Sequence, residues 1–280
     1  MGNVLYVNKP KGISSFDVCF RLRKVLGTKK IGHTGTLDPN ATGVMIILFN
    51  KATKANQFLV TDKKEYICKV KLGIRTDTLD IDGNIIEESS YTVPEKETIS
   101  ETLKSFLGKS IQEVPLTSAV SVEGKRLYQY QREGKEVELP KREIEVSDIK
   151  LLDIFEDGFS FRSTVSSGTY IRALVRDILM KLNQIGTVSE LERTAVDEVR
   201  IENCDNLEEI EKGNYKLHEI GDLLIKRYKT VEYPERNDIL NGKKLKLNSD
   251  EKTVLVTNND EVLAVYEKDG DIYRSLRGLW

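Results

Sequence analysis

Cysteine, histidine and tryptophan are scarce in this chain, numbering three, two and one among 280 residues. Cys19, Cys68 and Cys204 are far apart and odd in number, so they make no disulfide framework, and a reducing cytoplasm is the expected compartment. Two histidines without a Cys-x-x-Cys pair leave too few soft ligands for a zinc centre. No apolar run approaches the roughly 18 residues of a membrane span, which excludes an integral membrane protein. The opening MGNVLYVNKPKG has no apolar signal core, which argues against export. Internal repeats and low-complexity stretches are missing too. What is present, 39% apolar and 31% charged residues, describes a soluble globular chain long enough for one large domain or two smaller ones.

A net charge of −2 would argue against a polyanion partner if the charge were evenly spread. It is not. Residues 1–60 carry nine basic groups against only Asp17 and Asp38, a surplus of seven, so the other 220 residues carry −9. Such asymmetry points to a localised anion-binding face. A second basic cluster runs from Lys226 to Lys246 and includes Lys243 and Lys244. Between 190 and 222 acids dominate, which reads as a solvated, non-binding face.

VLYVN at 4–8 reads as a strand and is followed by a Lys-Pro-Lys-Gly turn. Ser14 or Ser15 can cap a helix whose apolar positions are Val18, Cys19, Leu22, Val25 and Leu26, with Gly27 at its stop. Its outer face displays Arg21 and Lys24. VMIILF at 44–49 reads as a short buried strand. From 64 to 74 the pattern alternates, with Tyr66, Cys68, Val70 and Leu72 on one side. Helix spacing returns at Ile99, Leu103, Phe106 and Leu107, ended by Gly108. Strands are expected at 143–155 and 159–166, then a helix over 169–182. Strands and helices mix without strict βαβ alternation, which favours an α+β fold. After about residue 230 the character changes, and TVLVT, Asn258-Asn259-Asp260 and VLAVY read as a hairpin. The expected division is a catalytic domain over 1–229 and a small, mostly β module over 230–280.

The most unusual segment is Gly32-His33-Thr34-Gly35-Thr36-Leu37-Asp38-Pro39-Asn40-Ala41-Thr42-Gly43. Three glycines, three threonines and an Asp-Pro make a tightly shaped loop. It is no P-loop, because GxxxxGK[ST] is absent. It starts like a calcium loop, but Phe49 stands where a bidentate glutamate is required. A hydrolase triad built on His33 and Asp38 lacks the GxSxG nucleophile elbow. What remains is Asp38, fixed before a proline among small residues that let something large approach. From spacing alone an Asx-turn carboxylate is the better reading of it.

Residues 32–45 (GHTGTLDPNATGVM) closely resemble the catalytic loop of the TruB family of tRNA pseudouridine-55 synthases. Other blocks agree in order. Asn8 to Asp17 resembles the family's KPxGxTS-type opening. Lys64-Glu65-Tyr66 and Leu72 to Gly83 resemble its tyrosine strand and following loop. Pro115 to Ala119 with Gly124 to Tyr128 resembles a central block, and Ser167 to Leu174 with Leu191-Glu192-Arg193-Thr194 completes the set. Departures are Ile13, Leu116 and Ser121, the last standing where the family commonly has a lysine.

The resemblance implies a pseudouridine synthase fold, a mixed and largely antiparallel sheet flanked by helices, with a small PUA-like module at the C-terminus. It implies isomerisation of a uridine in the TΨC loop of tRNA. That reaction breaks the N1–C1′ bond, turns the base and joins C5 to C1′, with no redox change, so no cofactor or metal is expected. One ionised carboxylate must stand at the sugar, as nucleophile or as base, and the resemblance gives that role to Asp38. A stacked uridine must be flipped out to be reached. Tyr66 is then the ring against the flipped base, Arg172 the cation beside the catalytic aspartate, Tyr170 and Leu191 walls of the uracil pocket, and His33 a contact to displaced neighbouring bases. On residue pattern alone Tyr66 reads as a core tyrosine. A cation at Arg172, in a helix's first turn, asks for a carboxylate partner. Lys9, Arg21, Lys24, Lys54, Lys64, Arg126, Lys243 and Lys244 are the expected contacts to the RNA backbone of the T stem-loop. The protein is expected to act as a monomer without guide RNA or membrane. A non-catalytic RNA-binding protein is the main rival, since it would share the charge pattern, although pure binding needs no placed carboxylate.

Overall fold

The computed structural model describes residues 3–59 and 63–280. The chain opens with β1 (Val4–Lys9), α1 (Ser15–Val25), β2 (Ile31–His33) and β3 (Thr42–Phe49). It continues through β4 (Lys63–Leu72), β5 (Ile74–Thr76), β6 (Ile85–Glu88), α2 (Lys96–Lys104) and β7 (Gly108–Glu113). Next come β8 (Ser121–Val122), β9 (Lys125–Arg126), α3 (Leu127–Arg132), β10 (Lys141–Phe155), β11 (Gly158–Ser166), α4 (Ile171–Lys181) and β12 (Gly186–Val196). The short β13 (Val199–Arg200), β14 (Asp205–Asn206), α5 (Leu207–Glu211) and α6 (Ile220–Leu224) follow. β15 (Lys229–Glu232), α7 (Arg236–Leu240), β16 (Thr253–Asn258), β17 (Glu261–Asp269) and β18 (Ile272–Gly278) close it. This is the expected α+β mixture, in which most strands pair antiparallel.

Two compact units divide the chain: Met1–Asp38, Val44–Val60 and Glu202–Trp280 form the first, and Pro39–Gly43 and Thr61–Ile201 the second. In the first unit α1 starts at a complete capping box. The Ser14 hydroxyl accepts from the Asp17 amide, and the Asp17 carboxylate accepts from the Ser14 amide. The helix buries Val18, Cys19 and Leu22 against Leu5, Val7, Met45 and Ile47 of β1 and β3. Gly27 follows it at φ +61, the left-handed conformation a helix stop favours.

The C-terminal part of the first unit is a four-stranded sheet in the order β15-β16-β17-β18. β16 and β17 form the hairpin that 253–266 suggested, and β15 joins it in parallel. The sheet begins at Lys229, where the sequence changes character, yet the unit holding it also holds the first 38 residues. The compact units therefore do not divide at 229/230.

The second unit carries strands in the order β12-β4-β11-β10-β7, each antiparallel to its neighbour. β4 follows its alternation: Tyr66, Cys68, Val70 and Leu72 are buried, whereas Ile67 is 36% exposed. Two expectations fail. The second half of β12 falls in the 190–222 stretch read as an acidic solvated face, and there it buries Arg193, Ala195 and Val196. Glu190 is exposed while Arg193, Ala195 and Val196 are buried, and a bulge between Val188 and Glu190 interrupts the alternation, so acids and core share one strand. α2 also stops at Lys104, not Gly108. Tight turn bonds from Phe106 to Leu103 and from Leu107 to Lys104 end it, leaving Leu107 49% exposed, and Gly108 opens β7 instead.

Candidate active site

The residues singled out fall in both units, and each unit builds its own group. In the first, β2 pairs antiparallel with β3, so half-buried His33 stands opposite Ile47. The Thr34 amide then donates to Ile46 O at 3.1 Å. At the far end of the loop the hydroxyl of Ser15, first residue of α1, accepts from Leu37 N and donates to Leu37 O, both at 2.9 Å. Leu37 is 4% exposed and Ser15 3%. A helix terminus thus pins the peptide unit beside Asp38, which is half-buried.

The next five residues, Pro39–Gly43, belong to the second unit. There Thr42 and Gly43 run parallel to β12 opposite Glu192 and Arg193. A side chain at Gly43 would put its Cβ 2.2 Å from Arg193 O, and the glycine sits at φ +105. The motif ends in glycine because backbone fills the place of a side chain. β12 carries the register onward: Arg193 opposes Tyr66 and Leu191 opposes Cys68 on β4. Arg193 (1% exposed), Tyr66 (6%) and half-buried Leu191 therefore share one face of the sheet.

Arg172, the second residue of α4, is 5% exposed. Its Nη1 donates to Thr78 O at 2.7 Å and to Thr117 Oγ1, and its Nη2 donates to Thr117 O at 3.0 Å. Its Nε lies 3.7 Å from Asp80 Oδ2. Asp80 is itself held, because its Oδ1 accepts from the Thr78 hydroxyl at 2.6 Å and from Asp82 N at 3.2 Å. Within the second unit, the first-turn cation thus has a carboxylate in Asp80. Tyr170 caps α4 without a side-chain hydrogen bond. Gln112, 2% exposed, grips its backbone instead, accepting from Tyr170 N at 2.8 Å and donating to Tyr170 O at 3.1 Å. The Arg142 guanidinium lies 5.6 Å from the Tyr170 ring centre.

Sequence reasoning missed Gln112, Thr117, Asp80 and Arg193 as supports. Asp80, Thr117 and Arg193 lie in the resemblance blocks, but nothing in local pattern assigns them a partner. Gln112 sits on an edge strand with no motif around it.

The expected backbone contacts divide. Lys24 and Lys244 are exposed. Lys9 is fully buried, and its Nζ donates to Pro10 O at 2.8 Å, which corrects its assignment as a displayed phosphate contact. β1 runs through the core, so a lysine at its end folds back onto the turn. Arg21 is engaged by a two-pronged pair with Glu211. Lys54 donates to Trp280 O, Arg126 to Ala119 O, and Lys243 pairs with Asp238 at 2.7 Å. Burial, with the nearby charge of Arg193, pushes the Lys64 ammonium down to about 8 against a partial opposing effect of Asp197.

Residues 23–171, just over half the chain, match the sequence model described as TruB family pseudouridylate synthase (N terminal domain). The chain belongs to the TruB family of pseudouridylate synthases. It is 38% identical to tRNA pseudouridine synthase B of Lactobacillus acidophilus, covering 98% of this chain and 97% of that one. With tRNA pseudouridine synthase B of Bacillus anthracis it shares 40% identity, covering 95% and 92%. Among solved structures, the "Crystal Structure of a Cbf5-Nop10-Gar1 Complex" contains a chain that superposes with a TM-score of 0.74 at 23% identity, covering 99% of this chain and 85% of that one. That similarity is one of fold. Among the described residues no helix is long and apolar enough to cross a membrane.

Proposed function

We propose that this protein converts uridine 55 in the TΨC loop of tRNA to pseudouridine, in the cytoplasm, as a monomer and without guide RNA or cofactor. The observation that carries this reading is near-complete coverage, at 38–40% identity, of relatives named tRNA pseudouridine synthase B. The enzyme flips the uridine out of its stack, and Tyr66 packs on the base while Tyr170 and Leu191 wall it in. Asp38 acts on the ribose, either attacking C1′ or removing a ribose proton. The glycosidic N1–C1′ bond breaks, the base turns, C5 bonds to C1′, and the proton lost from C5 is balanced by one gained at N1. Arg172 supplies positive charge that favours the ionised carboxylate. His33 meets bases displaced by the flip. Lys24 and Lys244 reach the phosphate backbone.

Several features support the roles. Asp38 stands between a loop end pinned by Ser15 and the strand start at Thr42 and Gly43. Gly43, Arg193 and Tyr66 follow one another across three adjacent strands. The test is incubation of purified protein with unmodified tRNA, followed by carbodiimide-dependent reverse-transcription stops. One stop at position 55 is expected with wild type and none with Asp38→Asn, whose amide is isosteric but neither nucleophile nor base. Binding of the variant should stay within a few-fold. Substantial product from Asp38→Asn removes Asp38 from the chemistry, and no product from wild type removes the reading.

A further inference from the structure

Two large apolar side chains of α1 lie in solvent: Phe16 is 62% exposed and Phe20 61%. They sit four apart on the helix, so they form one stripe, on a different side from the buried Val18, Cys19 and Leu22. Arg23 extends the stripe. Its guanidinium carbon lies 5.7 Å from the centre of the Phe16 ring and 6.0 Å from that of Phe20. One cation thus braces both rings. Arg23 and Arg21 face different situations on the same helix. Arg21 is neutralised by Glu211, whereas Arg23 makes no ion pair among the described residues, and its Nε has no hydrogen-bond partner. Lys24 beside it is exposed, as are Lys11, Lys29 and Lys30.

An exposed aromatic pair ordinarily signals a partner surface. The charge here selects which kind. Two rings followed on the same helix by Arg23 and Lys24, with Asp17 between the rings taken up by the Ser14 cap, suit a chain of bases strung on phosphates. An apolar protein face would leave Arg23 desolvated without an acceptor. The stripe also begins next to Ser15, whose hydroxyl holds Leu37, the neighbour of Asp38.

We propose that Phe16, Phe20 and Arg23 form a stacking platform for an unpaired nucleobase of the substrate RNA, apart from the uridine that reacts. This rests on the proposed tRNA reading and adds a second base contact to it. Aromatic stacking is worth about 1–3 kcal/mol per base, so Phe16→Ala/Phe20→Ala should weaken tRNA binding by at least about fivefold. The salt dependence of binding should keep its slope, because no phosphate contact is removed. Turnover at saturating tRNA should change little.

The experiment measures tRNA affinity of full-length wild type and the double variant over a salt series, with circular dichroism and thermal melting of both. A parallel series uses T stem-loop RNA carrying 2-aminopurine at single unpaired positions. Quenching at one position by wild type, lost in the double variant, supports the platform even if turnover is unaffected. Equal affinity of the two proteins together with no quenching at any position overturns it. So does an unchanged tRNA affinity with loss of self-association, which would make the stripe a contact between copies. Phe16→Tyr/Phe20→Tyr keeps two rings and should retain quenching, which separates stacking from simple loss of helix stability. Wild-type product at position 55 is scored alongside, so failure of the platform is distinguishable from failure of the enzyme reading.

Discussion

Gly43→Ala adds one methyl group and no charge, yet it should damage both stability and turnover. The new Cβ would lie 2.2 Å from Arg193 O and 2.8 Å from Arg193 C and N. All three are backbone atoms, so no side chain can swing aside. Reaching ordinary van der Waals separation requires the strand to move by about 1 Å or more, against its pairing of Thr42 and Gly43 with Glu192 and Arg193. Overpacking of this kind costs about 1–3 kcal/mol, and holding alanine at φ +105 costs about 1–3 kcal/mol more. The sum, roughly 2–6 kcal/mol, corresponds to a fall in Tm on the order of 5–20 °C for a chain of this length. Gly27→Ala is the control. Gly27 also has positive φ, +61, but nothing lies within 4 Å of its Cβ position, so it suffers the conformational cost without the collision. Thermal melting and single-turnover pseudouridine formation on all three proteins would measure the effect. At a temperature where the variant remains folded, turnover should still fall at least tenfold, because the displaced strand follows directly on Asp38. A Gly43→Ala protein that melts like Gly27→Ala and turns over like wild type would refute the argument that backbone contact dictates this glycine.

Gln112→Leu keeps the volume at a 2%-exposed position but leaves the Tyr170 amide and carbonyl without these partners. A loss of about 1–3 kcal/mol is expected by denaturant unfolding, together with a raised KM as Tyr170 loosens. Lys64 offers a pH test. Its folded-state pKa, about 8, lies below the ordinary 10.5, so between those values the unfolded chain holds the proton that the folded one has lost. Stability should therefore rise as pH climbs through that window, and the gain should be absent below it. Lys64→Met should abolish this increment in unfolding measured at pH 7.5 and 9.5; an unchanged increment would assign it to other groups. Lys24→Ala should lower the slope of log affinity for tRNA against log salt by about one contact, whereas Arg21→Ala should change it less because Glu211 already holds that charge. Equal slopes for the two would show that the ion pair opens on binding.

Features set by local physics were legible in the sequence, and those set by distant partners were not. Alternation along 64–72, the serine cap of α1, the strand at 44–49 and the hairpin at 253–266 each follow from neighbours a few residues apart. β12 escaped because its acids obscured a period-two pattern, and a bulge between Val188 and Glu190 and another between Arg193 and Ala195 break that period again. The Lys9 assignment failed for a related reason. Charge counted along a chain does not say which lysines reach water, and this one lies at the end of a core strand.

Arg172 marks the boundary between these cases. Helix position alone suggests that a cation there needs compensation, and that inference holds without knowing the fold. What compensates it within the second unit comes from two other stretches: Thr78 and Asp80 from the loop between β5 and β6, and Thr117 from the segment before β8. These stretches and the start of α4 were visible as three separate blocks resembling one family, with no spacing rule to join them. The structure gives them a common purpose, because one guanidinium draws its acceptors from both of the others. Two of those acceptors are backbone carbonyls, which any residue supplies and no sequence pattern records. Sequence could therefore nominate the cation and ask for its partner, while the answer depended on a loop conformation that includes Leu79 at φ +66 and Gly83, where a Cβ would strike the Thr78 hydroxyl.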